Sequence, residues 1–218
     1  MKILDSLTNY LQSIVPDAVL EVQQVAGTTI RLWLISPNNM QQKIFDSVEI
    51  MRILQQPPYW CFCWSSGAAL CQKILQNPEL VANKRILDFG AGSGCVGIAA
   101  SLAGAKEVTV CDLDPVALQA CRANAQLNGA KLNYLADFTM TDDHYDLIVA
   151  ADILYDRDNF SWLDVFPSKA DHVLLADSRV KNFQHKQYQL LATMESETLP
   201  DLLEPSEFRN VKLYQTVH

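Results

Sequence analysis

Three aspartates, Asp88, Asp112 and Asp137, each close a short apolar run, and Gly90, Gly92 and Gly94 follow the first of them. Glycines at alternate positions let a chain turn tightly and bring backbone N–H groups close to a ligand. Arg85–Phe89 reads as a strand and Cys95–Leu102 as a helix, so the Asp88–Gly94 turn stands in a strand–turn–helix context. Acids at the carboxyl ends of successive strands lie on the edge where open α/β sheets bind ligands.

The glycines alone leave two ligands open, because Gly92-x-Gly94-x-x-Gly97 also matches the dinucleotide fingerprint. The acids separate them. Asp88 is close enough to the turn to repel a pyrophosphate, yet it can help hold the ammonium end of a methionine, directly or through water. Asp112, at the tip of the second strand, can accept from both ribose hydroxyls. Asp137 can bind the amino group of adenine, and Phe138 can cover the ring. Ala91, Leu113 and Ala151 adjoin these residues at the same edge and are counted with them. The expected ligand is S-adenosylmethionine, with S-adenosylhomocysteine as product and NAD as the competing reading.

The elements that must position these residues recur regularly beyond residue 85. Strand-like runs at Arg85–Phe89, Val108–Cys111, Leu132–Leu135, Asp146–Ala151 and His172–Ala176 alternate with helical runs at Cys95–Leu102, Pro115–Leu127, Asn159–Val165 and about Asn182–Thr193. Pro115 suits a first helical turn and Asn128-Gly129 a helix stop. This alternation predicts a doubly wound, mostly parallel, seven-stranded Rossmann-like sheet. The alternating 210–217 segment is expected as an antiparallel edge strand. Ahead of this core, residues 1–55 read as a small α+β cap. Its first helix carries Ile3, Leu4, Leu7, Leu11, Ile14 and Val15 and stops at Pro16. A hairpin follows around Gly27, then a helix over about Phe45–Gln55 with Val48, Met51 and Leu54 turned inward. Residues 56–218 are then the core, opening on the aromatic loop Pro57-Pro58-Tyr59-Trp60-Cys61-Phe62-Cys63-Trp64, with Ser65 or Ser66 capping the next helix.

At 218 residues, 49% hydrophobic and 19% charged, the chain has the composition of an ordinary globular protein. Its formal charge of −8 and its lack of Lys/Arg clusters speak against a nucleic-acid partner. No apolar stretch is long enough for a membrane span, and the start carries no signal-peptide pattern. The six cysteines read as buried reduced thiols of a cytoplasmic protein. Neither Cys61-x-Cys63 nor the four histidines His144, His172, His185 and His218 have metal-ligand spacing, so no metal is expected.

Three stretches together resemble the seven-strand methyltransferases of the protein-lysine type, in particular the electron-transfer-flavoprotein β-subunit lysine methyltransferases and their bacterial relatives. They are Pro57-Pro58-Tyr59-Trp60-x-Phe62-x-Trp64-x-x-Gly67, Leu87–Gly94 and Asp146–Asp156. That family carries Asp/Glu-x-x-Tyr/Phe just after its fourth strand, matched here by Asp152-Ile153-Leu154-Tyr155. The resemblance implies Gly90, Gly92 and Gly94 at the methionine end of the cofactor, Asp112 at the ribose and Trp64 over the cofactor site. It also implies Asp152 and Tyr155, as catalytic residues, flanking an acceptor lysine of a protein substrate. The family reads Gly-Asp-Pro-Gly-Arg where this chain has Ala176-Asp177-Ser178-Arg179, at the place expected for substrate docking.

Asp152 would act first in capture and orientation of the amine, because a carboxylate beside an ammonium stabilises the protonated form. Rival readings keep the fold and change the acceptor. One is N-methylation of a small molecule. Another is methylation of a nucleic-acid amino group, suggested superficially by Gln56-Pro57-Pro58-Tyr59. A third is a non-catalytic adaptor that keeps the cofactor for stability.

Overall fold

A computed structural model describes residues 2–41 and 45–217; His218, read above as a non-ligand, lies outside them. The chain opens with helix α1 (Lys2–Ile14), which buries Leu7, Leu11 and Ile14. Strands β1 (Leu20–Gln24) and β2 (Arg31–Ile35) pair antiparallel as the expected hairpin. The short helix α2 (Pro37–Gln41) precedes α3 (Ser47–Gln55). α3 starts on a capping box: Asp46 accepts from Val48 and Glu49 N–H, and the Glu49 carboxylate accepts from Asp46 N–H.

The inward face expected for α3 is corrected. Val48, Met51 and Leu54 are 59%, 54% and 70% exposed. The helix packs through Ile53 instead, which touches the cluster built from α1 and Trp60.

The larger sheet has β3 (Arg85–Phe89), β4 (Glu107–Cys111), β5 (Asn133–Leu135), β6 (Tyr145–Ala151), β7 (Ala170–Asp177), β8 (Tyr188–Glu195) and β9 (Asn210–Thr216) in the order β5-β4-β3-β6-β7-β9-β8. The first five are parallel, whereas β9 runs antiparallel to both β7 and β8. Helices α4 (Ser65–Gln76), α5 (Cys95–Leu102), α6 (Pro115–Asn128) and α7 (Trp162–Lys169) complete the core. One apolar cluster joins α4 and α5 to the sheet through Leu70, Ile74, Ile86, Ile98 and Val149. A second holds Leu87, Phe138, Ile148, Phe166 and Leu175. Leu7, Leu11, Leu20 and Ile35 pack with Trp60, Ala117 and Ala120, so α6 carries the N-terminal elements.

Two expectations near the C-terminus are corrected. Residues 188–195 form strand β8 rather than a helix over 182–193, because pairing with β9 overrides a weak local preference. β9 lies between β7 and β8 rather than at the edge, and it buries Val211, Leu213 and Tyr214. The helix expected over 159–165 forms as α7 but starts at Trp162, preceded by the 3₁₀ turn Arg157–Ser161. Pro167 inside α7 has no N–H for the carbonyl of Leu163. That carbonyl accepts instead from the Tyr188 hydroxyl at 3.1 Å, tying β8 to the helix.

Candidate active site

The strand order reverses direction at β3, with β4 on one side and β6 on the other, and the glycine turn leaves β3 at that switch point. Gly90, Gly92 and Gly94 have φ of 70°, 54° and 78°, the left-handed region that glycine enters without a Cβ clash. The N–H groups of Gly90 and Ala91 donate to Cys111 O, binding the turn to the tip of β4. A Cβ on Gly94 would come within 2.9 Å of Cys121 Sγ, and one on Gly97 within 2.6 Å of Val110 Cγ1. Those two glycines serve close packing of the turn and α5. Gly92 differs, since a Cβ there would meet nothing within 4 Å. Its outer side is open for a ligand.

Asp112 is tied to this open position. Its Oδ2 accepts from Gly92 N–H at 2.9 Å and its Oδ1 from Asp114 N–H at 2.9 Å. A carboxylate has about four acceptor sites, so capacity remains for a pair of hydroxyls. Burial pushes its pKa up, while the two N–H donors pull it down. Leu113, next in the chain, is 78% exposed at the same edge and offers an apolar face for a ring. Ala91 is buried within the turn, and Ala151 is half-buried at the end of β6, paired with Ala176.

Asp88 stands elsewhere than expected. It is 2% exposed, and its Oδ2 accepts from Gly97 N–H at 2.8 Å beneath the turn. Burial pushes its pKa up to about 8. Its carboxyl therefore braces the turn against α5 instead of facing a ligand's ammonium. Asp137 caps the 3₁₀ turn Phe138–Met140, with Oδ1 accepting from the N–H and the hydroxyl of Thr139. Those bonds hold its pKa below the usual carboxylate range. Phe138 is corrected as an open ring cover. It is 3% exposed, with its ring 5.7 Å from Phe89, 5.5 Å from Trp162 and 6.0 Å from Phe166.

Asp152 has φ of 49° and sits at the end of β6, 8% exposed. Its Oδ1 accepts from the hydroxyl of Ser66 at 2.7 Å and from the hydroxyl and N–H of Ser178 at 2.9 and 3.1 Å. Its Oδ2 accepts from Ser66 N–H at 3.1 Å. Three of these donors share Oδ1 and one reaches Oδ2, so the carboxylate is fastened between α4 and the residues after β7 while Oδ2 keeps an acceptor site. The carboxylate also meets the positive N-terminus of α4, where an anion is favoured. The cap expected from Ser65 or Ser66 is therefore supplied from β6, and Trp64 is the N-cap residue.

Tyr155 is 56% exposed, with its ring 5.5 Å from Tyr59. Tyr59 is in turn 5.9 Å from Trp64, which lies 5.2 Å from Phe62. These rings form a continuous aromatic wall, and its Tyr155 end lies within electrostatic reach of Asp112. Burial raises the Tyr155 hydroxyl to about 12, helped by Tyr59, Asp156, Asp112 and Asp152. Its proton therefore stays on Oη at neutral pH. Trp60, from the same loop, is a buried core residue.

Sequence reasoning passed over Asn124. It is fully buried in α6, donates to Ser93 O at 2.9 Å and accepts from Trp33 N–H at 2.7 Å, joining the glycine turn to the hairpin. A polar residue in the middle of a helix was the available signal. Ser178 and Arg179 stand in the segment singled out for substrate docking, whereas Glu204 was passed over and nothing local marks it. Among the described residues, no group of three or more His, Cys, Asp or Glu is placed to hold a metal, and no helix is long and apolar enough to cross a membrane.

This sheet order, with the glycine turn at its switch point, defines the seven-strand, Rossmann-like methyltransferase fold. Solved structures share it: ribosomal protein L11 methylase from Lactobacillus delbrueckii (21% identity, TM-score 0.53, 68% of this chain and 77% of that one). Magnesium protoporphyrin IX methyltransferase from Synechocystis, solved with bound S-adenosylmethionine, is another (17% identity, TM-score 0.52, 81% and 86%). The family described as ribosomal protein L11 methyltransferase (PrmA) matches residues 66–157.

Within that class the chain resembles the electron transfer flavoprotein beta subunit lysine methyltransferases. It is 36% identical over 148 residues to the Rattus norvegicus protein, 35% over 168 to that of Mus musculus and 40% over 161 to that of Xenopus laevis. These alignments cover 61%, 70% and 66% of this chain and 57%, 62% and 65% of those relatives.

Proposed function

We propose that the chain is an S-adenosylmethionine-dependent methyltransferase whose acceptor is a lysine of a protein substrate. The observation that carries the cofactor is the open position over Gly92 with Asp112 fastened to it. Asp112 would hold the ribose and Asp137 the adenine amino group, with Leu113 against the ring, while the glycine turn admits the methionine end. The cofactor, when bound, supplies a methyl group on a sulfonium. Relatives named for a flavoprotein subunit and for a ribosomal protein support a protein acceptor.

The chain's own residues bind, orient and exclude water. A free lysine has a pKa of about 10.4, so baring its lone pair at pH 7 costs about 4–5 kcal/mol. The rings of Tyr59, Trp64 and Tyr155 offer an apolar face that a docked substrate would cover, and that desolvation would lower this cost by disfavouring the ammonium. Tyr155 keeps its proton, so its Oη can donate or accept a hydrogen bond but is not a phenolate base; Asp152 holds the wall in register through Ser66. Aligning amine and methyl group supplies much of the remaining acceleration. Six buried free cysteines support a reducing compartment, the cytoplasm.

Calorimetry with S-adenosylhomocysteine and with NAD tests the cofactor: binding of NAD alone would overturn it. Tritiated methyl transfer to purified electron transfer flavoprotein β-subunit, and to a lysate divided into protein, nucleic acid and small molecules, tests the acceptor. Label on protein lysine is expected; label confined to another fraction would sink the lysine reading.

A further inference from the structure

We propose that Arg179 and Glu204 are positioning residues that fix Trp64, and with it the aromatic wall, against the connection between β8 and β9. In its acceptor-binding consequence this rests on the function proposed above. Antiparallel neighbours need only a two- to five-residue turn, but residues 196–209 separate β8 from β9. The extra length crosses to the start of α4. Cys63 and Leu199 exchange both backbone hydrogen bonds at 2.8 Å. Ser65 N–H donates to Thr198 Oγ1 at 3.2 Å, and Ser65 Oγ donates to Phe208 O at 3.0 Å.

Arg179 closes this strap. Its Nη2 donates to Glu204 Oε1 at 2.6 Å, and Glu204 Oε2 accepts from Thr198 Oγ1 at 2.7 Å. Both side chains are largely buried, so solvent screens the pair less than a surface ion pair. The guanidinium carbon lies 4.3 Å from the ring centre of Phe208 and 5.4 Å from that of Trp64. A planar guanidinium can stack on rings and donate in its own plane at once, which a lysine ammonium cannot do. A continuous path thus runs from the end of β7 through Glu204 and Thr198 to the first turn of α4. It ends on Trp64, whose ring meets Tyr59, which in turn meets Tyr155. Nothing in it touches the open face of Gly92.

The wall, and not the cofactor edge, should therefore loosen when the path is cut. In Arg179→Ala and Glu204→Gln, hydrogen exchange over residues 59–66 is expected to speed up at least fivefold, with residues 88–94 unchanged. Binding of S-adenosylhomocysteine stays within twofold of wild type. KM for electron transfer flavoprotein β-subunit rises at least fivefold with kcat within about twofold. The double variant adds little to Arg179→Ala, and Arg179→Lys falls between. If Arg179→Ala does not fold, Glu204→Gln carries the same readouts. Unchanged exchange over 59–66, or losses that add independently in the double variant, would overturn the strap. If the wild-type chain transfers no methyl group, the functional reading fails and the exchange measurement still decides the strap.

Discussion

The hydroxyl of Ser66 lies 2.7 Å from Oδ1 of Asp152, fastening the first turn of α4 to the end of β6. With Ser66 N–H and both donors of Ser178, this makes Asp152 the joint of three elements. Asp152→Ala leaves those donors without a partner in a nearly dry place, which costs on the order of 3 kcal/mol or more. The expected result is a large drop in urea midpoint with an unchanged m-value, and Asp152→Asn falling between. Turnover should fall in parallel with stability across the two variants. A fully stable Asp152→Ala that lacks turnover would place Asp152 in direct contact with the acceptor.

Gly92 and Gly94 share a left-handed backbone but differ in surroundings, and that difference predicts opposite phenotypes. Alanine at either position carries about 1–2 kcal/mol of backbone strain. At Gly94 the new methyl also strikes Cys121, whose Cα and Cβ are 3.1 Å away, so overpacking adds about 1–3 kcal/mol. Gly94→Ala should lower the thermal midpoint clearly more than Gly92→Ala. Gly92→Ala should keep the fold and lose S-adenosylhomocysteine affinity by tenfold or more in calorimetry, because its methyl fills the ligand's approach. Unchanged affinity in Gly92→Ala would mean that no ligand packs over the turn.

What the sequence disclosed and what it withheld follow from how local each feature is. The glycine turn and the acids at strand ends are set by neighbours within a few residues, so Asp88–Gly94 and Asp112 could be placed before any contact was known. Their side-chain directions could not. Asp88 turns under α5 because Gly97, nine residues on, leaves room for it. Strand β8 was misread because its conformation comes from β9, across the long connection that also supplies Glu204. Asn124 reaches Trp33 through a separation of 91 residues, which no periodicity records.

Asp88 sets a pH dependence whose sign is fixed by burial. Its pKa rises from 3.8 to about 8 on folding, so between about pH 4 and pH 8 the folded chain holds a proton that the unfolded chain has released. Stability then falls as pH rises through that window. Asp88→Asn cannot ionise, and its amide oxygen can still accept from Gly97 N–H. Urea unfolding at pH 5 and pH 8 should show the advantage of Asp88→Asn over wild type growing by on the order of 2–5 kcal/mol. An equal difference at both pH values would mean that Asp88 ionises at its ordinary pKa in the folded chain.

Asp112 joins the fold to the proposed chemistry, since one oxygen orders Gly92 and the other orders Asp114. Asp112→Asn keeps one acceptor oxygen but replaces the other with an NH₂ donor, which meets either the Gly92 or the Asp114 N–H donor to donor. Asp112→Ala removes both acceptors. Each bond to a charged acceptor contributes about 1.5–3 kcal/mol. S-adenosylhomocysteine should therefore bind at least tenfold more weakly to Asp112→Asn, and at least a hundredfold more weakly to Asp112→Ala. Tyr155→Phe provides the contrast, because its ring lines the aromatic wall and its hydroxyl stays protonated. It should bind S-adenosylhomocysteine within about threefold of wild type and alter acceptor KM alone. If Tyr155→Phe lost cofactor affinity as steeply as Asp112→Ala, the wall would belong to the cofactor pocket and the acceptor would have to enter from another side.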